Sequence, residues 1–289
     1  MKLSGIIPII PTIFDENGDI DPFSTANLAK YAVSKGVKSI VYPGVASEDV
    51  HISIQERLEI IKTIKSTIDK NIILISGVNS KEPEETISIT SKSVKCGSNM
   101  IMAMATPLMN KNYIYWFNKI VKNSKNKNII LQNAPAPRGS NLSSQTIFEL
   151  ISSIPEITYI KEENIPSGFQ IENIKKEIID KNIGIIGGGG GRYIFEELER
   201  GVIGCMPAIE LLELHIELYN NYMKGNRKKA LDIYINSLPL LTIQLPYRMR
   251  FTKYILAKKG LIKSEKVREP LPEIDQYLRS FILELYNKL

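Results

Sequence analysis

The sequence predicts an α/β fold, a parallel (β/α)8 TIM barrel followed by a C-terminal three-helix extension. Three observations carry this. Apolar strand-like runs alternate with amphipathic helix-like stretches eight times over about 220 residues. The runs are apolar on both faces, as strands covered on both sides must be. After the eighth run the strands stop and helical pattern continues alone. An open doubly wound sheet is the competing arrangement. The even spacing argues against it, as does the lack of a Gly-x-Gly-x-x-Gly after the first run.

In chain order, residues 5–11 (GIIPIIP) form the first strand, and residues 22–34 a helix stopped at Gly36. The second strand covers 37–42, and the helix over 53–69 opens with Ser53-Ile54-Gln55-Glu56. A hydroxyl there, with Glu three residues on, is the pattern of a capping box. Residues 71–76 are the third strand, followed by a helix over 83–95 that begins at proline and ends before Gly97. Strand four (99–105) precedes a helix at 111–121, and strand five (128–132) one at 143–153. The sixth strand is the run ITYIKEE from Ile157, set between Pro155 and Pro166, with a helix over 167–179. Strand seven (183–186) leads to a helix at 193–200, and strand eight covers 202–206. Helical stretches at 227–241, 247–259 and 274–288 complete the chain. A barrel domain of 1–223 and a helical domain of 224–289 follow.

Hydrophobic content of 43% and charged content of 24% are those of a soluble globular protein. No apolar run reaches the roughly 20 residues that span a bilayer, and the N-terminus has no signal-peptide core. The expected location is cytoplasmic, with no membrane partner. The net charge of +6 is spread over many Lys-rich helices, which argues against a nucleic-acid partner. Cys96 and Cys205 sit in apolar segments without metal-ligand spacing and read as buried small hydrophobes. His51 and His215 are far apart and unaccompanied, so they support neither a metal site nor a Ser/His/Asp triad.

In such a barrel the chemistry lies where strands end. Side chains alternate along the sixth strand, so Tyr159, Lys161 and Glu163 share one face, and Ile160 and Glu162 the other. A lysine on the inner face reaches the barrel mouth, which costs less than burying an ammonium among the helices. An amine desolvated there is available as a nucleophile toward a carbonyl. The implied reaction is Schiff-base formation with a 2-keto acid. Alone, Lys161 also reads as a surface lysine, and Glu163 on the same face shifts the balance toward a site. Glu163 itself is either an acid/base or the partner of an ion pair with Lys161 or Arg192. Gly44 to Glu48 reads as an ordinary turn or as a loop whose backbone N–H groups, including those around Ala46, hold a carboxylate, with Ser47 adding a hydroxyl and Glu48 closing it. The fifth strand ends at Gln132-Asn133. Five glycines from Gly187, Gly188 among them, let backbone approach a ligand closely, although the Lys-Ser/Thr of a phosphate loop is missing.

Together these ends resemble the dihydrodipicolinate synthase and N-acetylneuraminate lyase family of class I aldolases over nearly the whole chain. The likeness includes GIIPIIPTIFDENGDID, GVASE, the ATP run of strand four, QNAP and IKEE. The resemblance implies an eight-fold barrel, a homo-oligomer (dimer or tetramer), Lys161 as Schiff-base lysine, a small 2-keto acid substrate, and no metal or organic cofactor. Lysine-pathway synthases of this family relay protons through a threonine and two tyrosines, whose places here look like Val45, Met109 and Gln132. None carries a hydroxyl, and valine and methionine cannot move a proton. The arginine that grips the second substrate also looks displaced, with Pro137 near its place and Arg138 next to it. The chain therefore resembles a divergent branch acting as aldolase or dehydratase on 2-keto-3-deoxy sugar acids. In it, Glu163 supplies acid/base chemistry and Gln132 orients a substrate hydroxyl. A 4-hydroxy-tetrahydrodipicolinate synthase with a rebuilt relay, or a silent keto-acid-binding protein, are the alternatives.

Overall fold

In the computed structural model, which describes residues 2–80, 82–125, 127–179 and 182–289, eight short strands pair in parallel. They are β1 (Gly5–Ile6), β2 (Ser39–Val41), β3 (Ile73–Gly77), β4 (Met100–Met104), β5 (Ile129–Asn133), β6 (Ile157–Glu162), β7 (Gly184–Gly187) and β8 (Gly204–Cys205). The order β1-β8-β7-β6-β5-β4-β3-β2 closes on itself, because Ile9 bridges in parallel to both Val41 and Ala208. This is the (β/α)8 barrel expected.

The connecting helices are α1 (Pro22–Ser34), α2 (Ile54–Thr67), α3 (Pro83–Lys95), α4 (Tyr113–Asn123), α5 (Ser144–Ser153), α6 (Ser167–Glu177), α7 (Ile194–Glu199) and α8 (Leu212–Met223). Helix α2 starts as its capping box requires: Glu56 N–H donates to Ser53 Oγ at 3.2 Å, and Ser53 N–H to Glu56 Oε2 at 2.7 Å. The first strand is shorter than expected, for a physical reason. Pro8 and Pro11 have no N–H to give the ladder. The segment stays attached through Ile7 N–H to Cys205 O and Ile9 N–H to Pro207 O, both 2.9 Å.

The expected helices at 227–241 and 247–259 are both present as the two arms of α9 (Arg227–Lys258), which are separated at Arg248 (φ 42°, ψ −113°) two residues after Pro246; the first arm runs on past residue 241. A stretch without helix follows, and then α10 (Gln276–Tyr286). Leu240, Leu241, Phe251, Tyr254, Ile255, Ile274 and Ile282 bury themselves together with Leu211 ahead of α8.

Period-two alternation divides the rest of the core. Ile73, Ile75, Met100, Met102, Ile130 and Tyr159 fill the barrel, while Leu74, Ile101, Ala103, Ile129, Leu131 and Ile160 face the helices. Among the described residues no helix is long and apolar enough to cross a membrane.

Candidate active site

Tyr159 points inward, so Lys161 two residues on points inward too, at the C-terminal end of β6. Its side chain is 1% exposed, and Nζ lies 3.0 Å from Glu163 Oε1. The approach is an ion-pair contact, and Nζ has no other polar partner among the described residues. Glu163 follows the last residue of β6 and is fixed by its own N–H, which donates to Asn133 O at 2.9 Å.

Gln132 is paired with Lys161 across the β5–β6 ladder and shares the interior face. Its Nε2 donates to Glu163 Oε2 at 2.6 Å, and its Oε1 accepts from Asn79 Nδ2 at 3.3 Å. Asn79 Oδ1 in turn accepts the N–H of Met104 at 2.7 Å. The backbone N–H can only donate, so it sets the orientation of both amides and leaves Glu163 as the acceptor at the end of the line. Burial pushes the Glu163 carboxyl up. The Lys161 charge and the Gln132 hydrogen bond outweigh burial, and the group ends below the usual carboxylate range. The product is a buried amine beside a carboxylate held in its charged form.

Gly188 backs this pair. A Cβ on it would lie 2.5 Å from Glu163 Cγ, so the residue facing Glu163 must lack a side chain. Val45 and Ala46 line the cavity from the loop after β2.

The other polar residues expected at the site are engaged by other partners. Ser47 is fully buried; its hydroxyl donates to Ile10 O at 2.6 Å and accepts from Gly44 N–H at 2.9 Å, so it shapes the loop instead of offering a hydroxyl to the cavity. Thr12 fixes the same loop through Ser47 O at 2.7 Å. The Glu48 carboxylate turns to the C-terminal segment, where it accepts from Lys253 Nζ (2.7 Å), Arg268 N–H (2.7 Å) and Glu269 N–H (2.8 Å). Asn133, one residue after Gln132, faces the helix layer and bonds both backbone groups of Leu142 and Glu162 Oε2. Arg138 is held by Asp49 at 2.5 and 2.7 Å. Met109 is buried in the turn Pro107–Met109.

Sequence reasoning missed Asn79, a polar residue just beyond the third strand. A cavity of about 170 Å³ is lined by the expected Glu163 and Ala46, by Val45, Gly189 and Gly190, and by Arg192 after β7; its outer wall, Gln244, Arg248 and Met249 of α9, was missed. Arg192 had weight only as a partner for Glu163, and α9 carries no local signal that it covers the barrel mouth. Among the described residues no group of three or more His, Cys, Asp or Glu is placed to hold a metal ion.

The barrel thus carries a buried lysine at the C-terminal end of its sixth strand, against a carboxylate, with α9 lining the adjoining cavity. The chain belongs to the Dihydrodipicolinate synthetase family, which it matches over residues 2–284. It is 27% identical over 292 residues to the 4-hydroxy-tetrahydrodipicolinate synthase of Fervidobacterium nodosum, covering 99% of this chain and 98% of that one. Its fold is that of the dihydrodipicolinate synthase of Rhodopseudomonas palustris (TM-score 0.91, 21% identity, 99% and 98% of the two chains). It is also that of the N-acetylneuraminate lyase of Fusobacterium nucleatum (TM-score 0.86, 19% identity, 99% and 98%). Members of the family are class I lyases, aldolases and synthases that act on small keto acids, and the chain is an enzyme of that class.

Proposed function

We propose that this enzyme is an aldolase or dehydratase that forms a Schiff base between Lys161 and pyruvate or a 2-keto-3-deoxy sugar acid, with Glu163 as acid/base. Lys161 Nζ adds to the C2 carbonyl and water leaves, giving a protonated imine that withdraws electrons from C3. In aldol cleavage Glu163 takes the proton of the C4 hydroxyl, the C3–C4 electron pair moves to the imine, and an aldehyde departs. Glu163 then returns that proton to C3 of the enamine, and water hydrolyses the imine to free pyruvate and lysine. In dehydration the carboxylate removes a C3 proton instead, and the C4 hydroxyl leaves with a proton as water. The supporting observation is the Lys161–Glu163 contact at 3.0 Å, with Gln132 holding the carboxylate in place from its other oxygen.

The names of the curated relatives favour a second reading, 4-hydroxy-tetrahydrodipicolinate synthase, which condenses pyruvate with aspartate semialdehyde. Val45, Met109 and Gln132 weigh against it, since the resemblance puts them where that reaction has hydroxyls. A homo-oligomer, dimer or tetramer, belongs to the same proposal.

The acid/base role is tested by following exchange of the pyruvate methyl protons in D2O by NMR, which needs the imine and a base at C3 but no second substrate. Glu163→Gln is expected to slow exchange by a factor on the order of 10²–10⁴ and still form the lysine adduct. Undiminished exchange would remove Glu163 from the chemistry.

A further inference from the structure

We propose that the outer end of the cavity is a receptor for a second anionic group, a carboxylate or phosphate, on the end of the substrate remote from the keto carbon. The inference rests on the Schiff-base reading and narrows its substrate class.

Three charged side chains line the cavity: Glu163, Arg192 and Arg248. The charge of Glu163 is matched by Lys161. The two guanidiniums are not matched in this way. Among the described residues no carboxylate lies within salt-bridge distance of Arg192, whose Nη1 instead donates to the neutral amide of Gln244 at 2.8 Å. Gln244 is itself held by Glu210, and Tyr234 holds the Arg192 backbone by donating to its carbonyl at 2.6 Å. Arg192 is therefore oriented without being neutralised. Arg248 has a single carboxylate nearby, Glu269 Oε1, at 3.5 Å from Nε. Its other nitrogens have no partner among the described residues, which leaves the forked end of the guanidinium unengaged.

The backbone is arranged around this placement. Arg248 sits at the break of α9 with a positive φ of 42°, a conformation that a non-glycine residue seldom adopts. Gly190 (φ 69°) passes so close that a Cβ would lie 2.7 Å from Gln244 Oε1 and 3.0 Å from Arg192 Nη1. Two like charges thus face one cavity, and burial, with Arg248 adding to it, already disfavours the protonated form of Arg192. An anion between them relieves both effects, and a planar guanidinium suits a carboxylate or a phosphate. Ile9, Val45, Met206 and Ala208 line the same cavity and give it apolar surface for a carbon chain. The substrate class is thus a 2-keto acid ending in a second carboxylate or in a phosphate.

The test is borohydride trapping, in which hydride reduces the imine to a stable secondary amine on Lys161, over a concentration series of four probes. These are pyruvate, 2-oxohexanoate, 2-oxoadipate of the same carbon number, and 6-phospho-2-keto-3-deoxygluconate. A terminal anion is expected to lower the half-saturating concentration at least about tenfold relative to 2-oxohexanoate. The tighter of the two dianionic probes identifies the group as carboxylate or phosphate. Arg192→Gln with Arg248→Gln should bring the ratio toward one, and Arg192→Lys should retain part of it in protein whose thermal unfolding matches the wild type. Equal half-saturation for 2-oxohexanoate and both dianionic probes in the wild type, or a ratio indifferent to these substitutions, overturns the receptor. Absence of any adduct with pyruvate in the wild type overturns the Schiff-base reading itself.

Discussion

Gly188→Ala tests the geometry at the centre of the site with a single added carbon. The new Cβ would stand 2.5 Å from Glu163 Cγ, 2.8 Å from Oε1 and 3.0 Å from Cδ. An ordinary carbon–carbon contact is about 3.5–4.0 Å, so the Glu163 side chain must retreat by about 1 Å. Gly188 has φ −138°, so the added methyl acts through this contact and not through left-handed backbone strain. A retreat of that size stretches the 3.0 Å approach of Glu163 to Lys161 Nζ and loosens the bond from Gln132. A displacement of about 1 Å at a reacting group costs on the order of 10²-fold in rate. Exchange of pyruvate methyl protons should fall by about that factor, while mass spectrometry still finds the reduced adduct on Lys161. Exchange within about threefold of the wild type, in protein of unchanged thermal stability, would refute the assignment of the proton transfer to Glu163 in this position.

Other expectations follow from the buried charges. Glu48→Gln should destabilise the protein by about 3–5 kcal/mol in urea unfolding, since it leaves Lys253 buried without its counter-ion. The double substitution Glu48→Gln with Lys253→Met should recover part of that loss, and a double variant no better than the single would contradict the pairing. Glu197 is 1% exposed, and burial raises its carboxyl from 4.5 to about 8. The folded protein therefore binds more protons than the unfolded chain in that window, so this group's contribution to stability falls as pH rises from 4.5 to about 8. Glu197→Gln should match the wild type in thermal unfolding at pH 4 and exceed it at pH 8.5 by a few kcal/mol at most. An equal difference at both pH values would exclude titration of Glu197 as the cause.

Most of the barrel was legible because period-two apolar runs and helix stop signals are local. Pro83 and Gly36 mark helix limits that need no tertiary information, and Ser53 with Glu56 forms the box its spacing announces. The same alternation placed Lys161 and Glu163 on one face of β6. Applied to the fifth strand, it would have turned Asn133 away from Gln132 and toward the helices, where the structure has it. Ser47 and Glu48 were not recoverable in this way. Their partners, Ile10, Lys253 and Arg268, come from distant parts of the chain, and a polar residue in a turn carries no sign of which side it serves. Arg248 was invisible for a related reason: its position over the barrel mouth is a tertiary fact. The break beside it was local, since Pro246 interrupts a run that is otherwise helical and the two expected helices lie on either side of it.

The account depends on Lys161 as the residue that bonds to substrate. The direct measurement is intact-protein and peptide mass spectrometry after incubation with pyruvate and sodium borohydride, run in parallel on Lys161→Ala. One reduced pyruvyl group on the peptide that carries Lys161, absent from the variant, is the expected result. Wild-type protein that stays unmodified by pyruvate and by 2-keto-3-deoxy acids, or an adduct that persists in Lys161→Ala, would contradict it.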